Sequence, residues 1–86
     1  VKKATKITAA HSSPYNIKEE WTPLTGTRVL GFRNMSASST ADMCPDSATN
    51  FGDVIPAGDT NRYAVTDTTM DWFLKNPDSI VIIEYL

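Results

Sequence analysis

Ile80-Val81-Ile82-Ile83-Glu84-Tyr85-Leu86 (IVIIEYL) is the stretch on which the fold turns. Its β-branched and aromatic side chains favour a pleated, packed strand. Side chains alternate across a strand, so Ile80, Ile82 and Leu86 share one face, with Glu84 as the polar exception. Val81, Ile83 and Tyr85 share the other. A strand apolar on both faces is normally covered on both sides. The chain has 86 residues, and a domain of that size buries only about 60–65% of the surface its unfolded chain exposes. One layer covers one face of such a strand, and a neighbouring subunit or the N-terminal segment has to cover the other. Left open, the segment would favour aggregation.

Upstream, Asn76-Pro77-Asp78-Ser79 has type I turn preferences, with Asn first and Pro second. It predicts a C-terminal β-hairpin between Met70–Lys75 and the final strand. The competing reading is a helix over 67–75, because Met70, Phe73 and Leu74 have helical spacing. Met70, Trp72 and Leu74 alternate, which favours the strand. Arg62–Thr66 reads as a strand with Tyr63 and Val65 on one face, and Pro56-Ala57-Gly58-Asp59 before it as a turn. Thr27–Asn34 reads as a strand with Leu30 and Phe32 on one side and Val29, Gly31 and Arg33 on the other. Residues 35–52 form a long Ser/Thr/Asn/Asp-rich connection, interrupted by a short strand at Ala41–Cys44.

Residues 1–24 read as an arm or edge. Lys3–Ala10 is a short strand with Ile7 as its one large apolar side chain, and Pro23 keeps Trp21–Leu24 at or outside a sheet edge. The expected fold is a single all-β domain over 1–86, a small antiparallel β-sandwich or barrel with an N-terminal arm and a C-terminal β-hairpin. Its core is expected in 25–86, anchored by Leu30, Phe32, Val54, Ile55, Tyr63, Val65, Trp72, Leu74, Val81 and Ile83.

Composition excludes several classes. The single cysteine, Cys44, cannot form an intramolecular disulfide. No apolar run reaches the roughly 18–20 residues of a membrane-spanning helix, and Val1-Lys2-Lys3 does not resemble a signal peptide. The formal net charge of -2 is unevenly distributed. Residues 1–33 hold Lys2, Lys3, Lys6, Lys18, Arg28 and Arg33 against Glu19 and Glu20, a balance of +4. Residues 34–86 hold Arg62 and Lys75 against seven aspartates and Glu84, a balance of -6. Such a division suits complementary contacts between neighbouring molecules.

Catalytic and ligand-binding patterns are not found. His11, the one histidine, lies in a Ser/Pro loop, and neighbouring Asp42 and Asp46 would dull Cys44 as a nucleophile. Adjacent Glu19 and Glu20 would point to opposite strand faces, which does not suit a shared acid/base site. Asp59, Asn61, Asp67 and Asp71 read as turn formers and do not match a calcium loop. No cofactor or metal is expected, no catalysis, and no nucleic-acid binding at a pI near 5.1. Trp21, Trp72, Val81, Ile83 and Tyr85 are the candidate interface.

The stretch LTGTRVLGFRNMS (24–36), the turn-centred VIPAGDTNRYAV (54–65) and the closing IVIIEYL resemble small β-rich virion proteins of tailed bacteriophages. That resemblance implies a non-catalytic subunit that decorates or cements a capsid or forms a head or tail fitting. It also implies residence in the virion, other virion proteins as partners, and homo-oligomers, often trimers. The alternative reading is a small carbohydrate-binding or adhesion module that stacks sugars on exposed rings such as Tyr15 or Trp21.

Overall fold

Strand β8 (Ile80–Tyr85) lies inside a four-stranded antiparallel sheet, between β1 (Lys3–Lys6) and β3 (Val29–Asn34), with β6 (Thr60–Ala64) beyond β3. In the second antiparallel sheet β2 (Tyr15–Asn16) pairs with β7 (Phe73–Lys75), β7 with β4 (Ala41–Cys44), and β4 with β5 (Asp53–Ile55). The computed structural model describes residues 3–67 and 69–85. Within them the chain is all β apart from two single-turn 3-10 segments, and the two sheets pack as a small sandwich.

The inward faces supply the core. Leu30 and Phe32 of β3 meet Ile80 and Ile82 of β8 on one layer, and Ala41, Ile55 and Leu74 face them from the other. Each large apolar side chain buried in this way contributes about 1.5–3 kcal/mol. Phe32, Tyr63 and Trp72 form a ring cluster with centroids 5.5–6.1 Å apart, a spacing that favours edge and tilted contacts. The Trp72 indole N–H is buried and has no acceptor among the described residues.

Several local readings agree with the structure. Leu30 and Phe32 are buried, while Val29 is half-buried and Arg33 exposed. The short strand at Ala41–Cys44 is present, and Gly58 takes a positive φ of 80° in a turn closed by Asp59 N donating to the Pro56 carbonyl at 3.1 Å.

The predicted C-terminal hairpin is not formed. β7 and β8 belong to different sheets, and residues 76–79 carry the chain across the sandwich. Asn76 adopts the left-handed conformation at φ 56°, and Pro77–Ser79 form a 3-10 turn with Pro77 buried. Asn tolerates that backbone because its short polar side chain offers little steric conflict. Hydrogen bonds hold the crossover on both flanks, from Asn76 N to the His11 carbonyl at 2.6 Å and from Met35 N to the Ser79 carbonyl at 2.8 Å. Among the described residues of 67–75 no helix forms either. Within that stretch the strand is confined to Phe73–Lys75, after a turn in which Met70 N donates to the Asp67 carbonyl.

The N-terminal segment is more than an arm. β1 and β2 do occupy sheet edges, but Ile7, Ile17 and Trp21 are core residues. Ile7 N donates to the Ile80 carbonyl and Ile17 N to the Trp72 carbonyl, each at 3.0 Å, so the segment is stitched to both sheets. Trp21, 4% exposed, donates its indole N–H to Glu84 Oε1 at 2.9 Å. Leu24 N and the Thr27 hydroxyl donate to Glu84 Oε2 at 2.7 and 3.1 Å.

These bonds explain the phase of β8. Glu84 is fully buried and turns inward with Ile80 and Ile82, so Val81 and Ile83 turn outward and are not core anchors. Val54, also expected inside, is 51% exposed, because β5 turns Ile55 inward instead.

Replacing Glu84 with Gln sets an amide N–H against another N–H whichever way the amide turns, that of Trp21 on one side or of Leu24 on the other. The expected result is a loss of about 2 kcal/mol or more, since a buried polar group left facing another donor keeps its full desolvation cost. A lowered urea midpoint with an unchanged slope would show it.

Candidate interaction surface

The outer face of the β1-β8-β3-β6 sheet can be read from its registers. Tyr85, Val29 and Ala64 form one row. Ala4, Ile83, Gly31 and Arg62 form the next, and Lys6, Val81, Arg33 and Thr60 the third. Val29, Val81, Ile83 and Tyr85 are half-buried and stand outside the core cluster. The described strand positions of this face carry Lys6, Arg33 and Arg62 and no Asp or Glu.

Tyr85 gives the face its shape. A Cβ at Gly31 would sit 3.4 Å from Tyr85 Cε2 and 3.4 Å from Thr60 Cγ2, so both side chains lean over the glycine. The Arg62 guanidinium carbon lies 5.9 Å from the Tyr85 ring centroid, within cation–π range. Arg33 Nη1 donates to the Thr60 hydroxyl at 3.4 Å, and Lys6 Nζ to the Asp78 carbonyl at 3.1 Å. The result is an apolar strip with cations at its margins.

Of the expected interface residues, Val81, Ile83 and Tyr85 are brought together here. Trp21 and Trp72 are not; both lie inside the sandwich, at 4% and 5% exposure. The aromatic residue that does stand out is Phe51, 73% exposed. Sequence reasoning passed over it as part of the 35–52 connection, where its one signal is an isolated ring among Ser, Thr, Asn and Gly.

The loop that carries Phe51 is held from several sides. Asp46 accepts hydrogen bonds from Ala48 N at 2.9 Å and Thr49 N at 2.8 Å, and Lys75 Nζ donates to the Asn50 carbonyl at 3.1 Å. Gly52 packs directly on the Met43 carbonyl, where a Cβ could not fit. In the adjacent strand Val54 sits opposite Asp42, which has Lys75 on its other side.

The residues considered for chemistry have other roles. His11 is exposed and stacks on Tyr15 at 4.4 Å and 12°. Cys44 is buried with its thiol near the Asp42 carbonyl; burial pushes the thiol pKa up, and the Asp42 charge adds to it while Lys75 opposes. Asp67 accepts from Thr69, Asp71 from Asn16, and the Asn61 amide donates to the Val54 carbonyl. Among the described residues no three of His, Cys, Asp and Glu come together as a metal-binding group, and no helix is long and apolar enough to cross a membrane.

Glu20 works as a clamp. Its carboxylate accepts from Thr8 N at 2.8 Å, the Thr8 hydroxyl at 3.0 Å, Ala9 N at 3.1 Å and the Tyr15 hydroxyl at 3.3 Å. The Thr8 backbone bond does most to lower its pKa below the ordinary 4.5, helped by the other three and opposed by partial burial. Tyr15 is correspondingly raised, first by burial and then by the Glu20 and Glu19 charges. Turn hydrogen bonds lower Asp46 and Asp67 in the same direction.

Comparison with protein-family models, curated proteins and solved structures finds no match.

A carboxylate whose pKa is lowered on folding stabilises the fold above its unfolded pKa and loses that contribution as pH falls through the folded value. Glu20 supplies stability at neutral pH that begins to disappear as the pH drops below its ordinary value of 4.5. Urea midpoints measured from about pH 6 down to about pH 3 should fall, and Glu20→Gln should flatten part of that fall.

Proposed function

We propose that this chain is a non-catalytic structural subunit of a larger assembly, a decoration, cement or head/tail component of a phage particle. The observation that carries the reading is the outer face of β8. Val81, Ile83 and Tyr85 form an apolar strip on an inner strand of a sheet, half-buried and outside the core cluster. Contiguous apolar surface rimmed by charge marks contact surfaces. The +4 and -6 division of charge along the sequence supports the same reading, since opposite patches steer and register neighbouring subunits. The resemblance of segments 24–36 and 54–65 to small β-rich virion proteins supplies the class of assembly, with other virion proteins as partners.

The carbohydrate-binding alternative has less to work with. Trp21 is buried and Tyr15 is stacked on His11, so Phe51 is the one aromatic residue that is largely exposed.

Mass spectrometry of purified particles made by the genome that encodes this chain tests the proposal. The expected result is a fixed copy number per particle that survives gradient purification and extensive washing. Absence of the chain from such particles would overturn the particle assignment.

A further inference from the structure

Two apolar features among the described residues, one half-buried and one exposed, differ in electrostatic character. The first is the strip of Val81, Ile83 and Tyr85, bordered by Lys6, Arg33 and Arg62. The second is the edge formed by Phe51 and Val54, at 73% and 51% exposure, with Asp42 opposite Val54, Asp46 in the loop, and Lys75 beside Asp42. The first lies on the outer face of the β1-β8-β3-β6 sheet, and the second belongs to the other sheet and the loop that enters β5.

Neither feature suits pairing with itself. Two copies of the cationic face brought together about a two-fold axis would oppose Arg to Arg and Lys to Arg, and like charges set against each other disfavour association. Two copies of the acidic edge would oppose Asp to Asp. The acidic edge of one molecule against the cationic face of another pairs opposite charges and covers apolar surface on both sides. The braced 45–52 loop presents Phe51 with little further ordering cost on docking.

We infer that the Phe51–Val54 edge of one copy docks on the Val81–Ile83–Tyr85 face of a second copy, a head-to-tail contact. The inference rests on the reading of this chain as an assembly subunit and deepens it by naming the first partner as the chain itself. A head-to-tail contact leaves one free edge and one free face on every dimer. Growth therefore continues until the rotation closes a ring or the chain of subunits stays open.

Two variants and their mixture test it, using sedimentation equilibrium and light scattering on the full chain. Phe51→Asp removes the edge, and Arg33→Glu with Arg62→Glu reverses the face; all three positions are exposed, and circular dichroism with urea midpoints checks that both variants fold. The wild type should show a mass that rises with concentration, and each variant alone should lose association at least tenfold. An equimolar mixture should give a one-to-one dimer that grows no further, because the face of one variant and the edge of the other remain intact.

A wild type that stays monomeric to about 1 mM, where association would be weaker than about 4 kcal/mol, would overturn the inference. So would an oligomer that survives Phe51→Asp, which would point to pairing without the edge, or a mixture that stays monomeric. Chain found in purified particles but monomeric in solution would overturn this contact and leave the particle role standing. A head-to-tail oligomer absent from particles would do the reverse.

Discussion

The fold depends on a carboxylate placed where a hydrocarbon would be cheaper. Glu84 lies fully buried in an inner strand, and burying such a group without partners costs several kcal/mol. Three donors converge on its two oxygens, and all of them come from residues 21–27. Satisfying one side chain thus draws the whole segment after the N-terminal strands over the end of the sandwich. Trp21 arrives with its ring in the core and its N–H on the carboxylate, so the polar bond and the apolar packing reinforce each other. Register follows as well. With Glu84 turned inward, Ile80 and Ile82 must be inward, and Val81, Ile83 and Tyr85 are committed to the opposite face.

Two other polar side chains close the sides of the sandwich. Buried Asn34 donates its amide to the Ser39 and Ile55 carbonyls at 2.8 and 3.0 Å and accepts from Ser36 N, tying β3 to the start of β4 and to β5. Glu20 gathers Thr8, Ala9 and Tyr15 on the other side, where β1 hands over to β2. A small domain with a thin core gains little from further apolar burial at its margins. Fully bonded polar groups fix the connections there at modest net energy and with high directional specificity.

What the sequence made legible was local. The alternation in Val29–Asn34, the Ala41–Cys44 strand and the Pro56–Asp59 turn all depend on neighbours within a few residues, and the structure contains each of them. What it hid was the choice of partner. Asn76-Pro77-Asp78-Ser79 satisfies the composition of a hairpin turn, yet a left-handed Asn76 and a buried Pro77 send β8 into the other sheet. Ile7 and Ile17 are single apolar residues in polar surroundings, which gives no periodicity to read, but a strand of four residues needs only one inward anchor. Both faces of IVIIEYL are apolar, so which set turns inward is decided by the partners of Glu84 and by no local pattern. Those partners lie some sixty residues away and leave no local trace. On the candidate surface, Val81, Ile83 and Tyr85 are legible as one face of the strand but not as the outward one, and Phe51 has only its isolation among polar residues to mark it.

The same carboxylate also bears on interaction. By fixing the phase of β8 it decides which apolar set is spent on the core and which is left outside, and the outside set is the one flanked by Arg33, Arg62 and Lys6. Had Val81 and Ile83 faced inward, the outer face would carry Glu84 beside those cations and would lose part of its positive charge. Placing the acid inside keeps the outer face uniformly cationic at its described strand positions. Gly31 completes the arrangement, because its missing side chain leaves room for the Tyr85 ring, which Arg62 approaches at 5.9 Å. The fixed geometry of the apolar strip and the single sign of charge around it follow from how the core was satisfied.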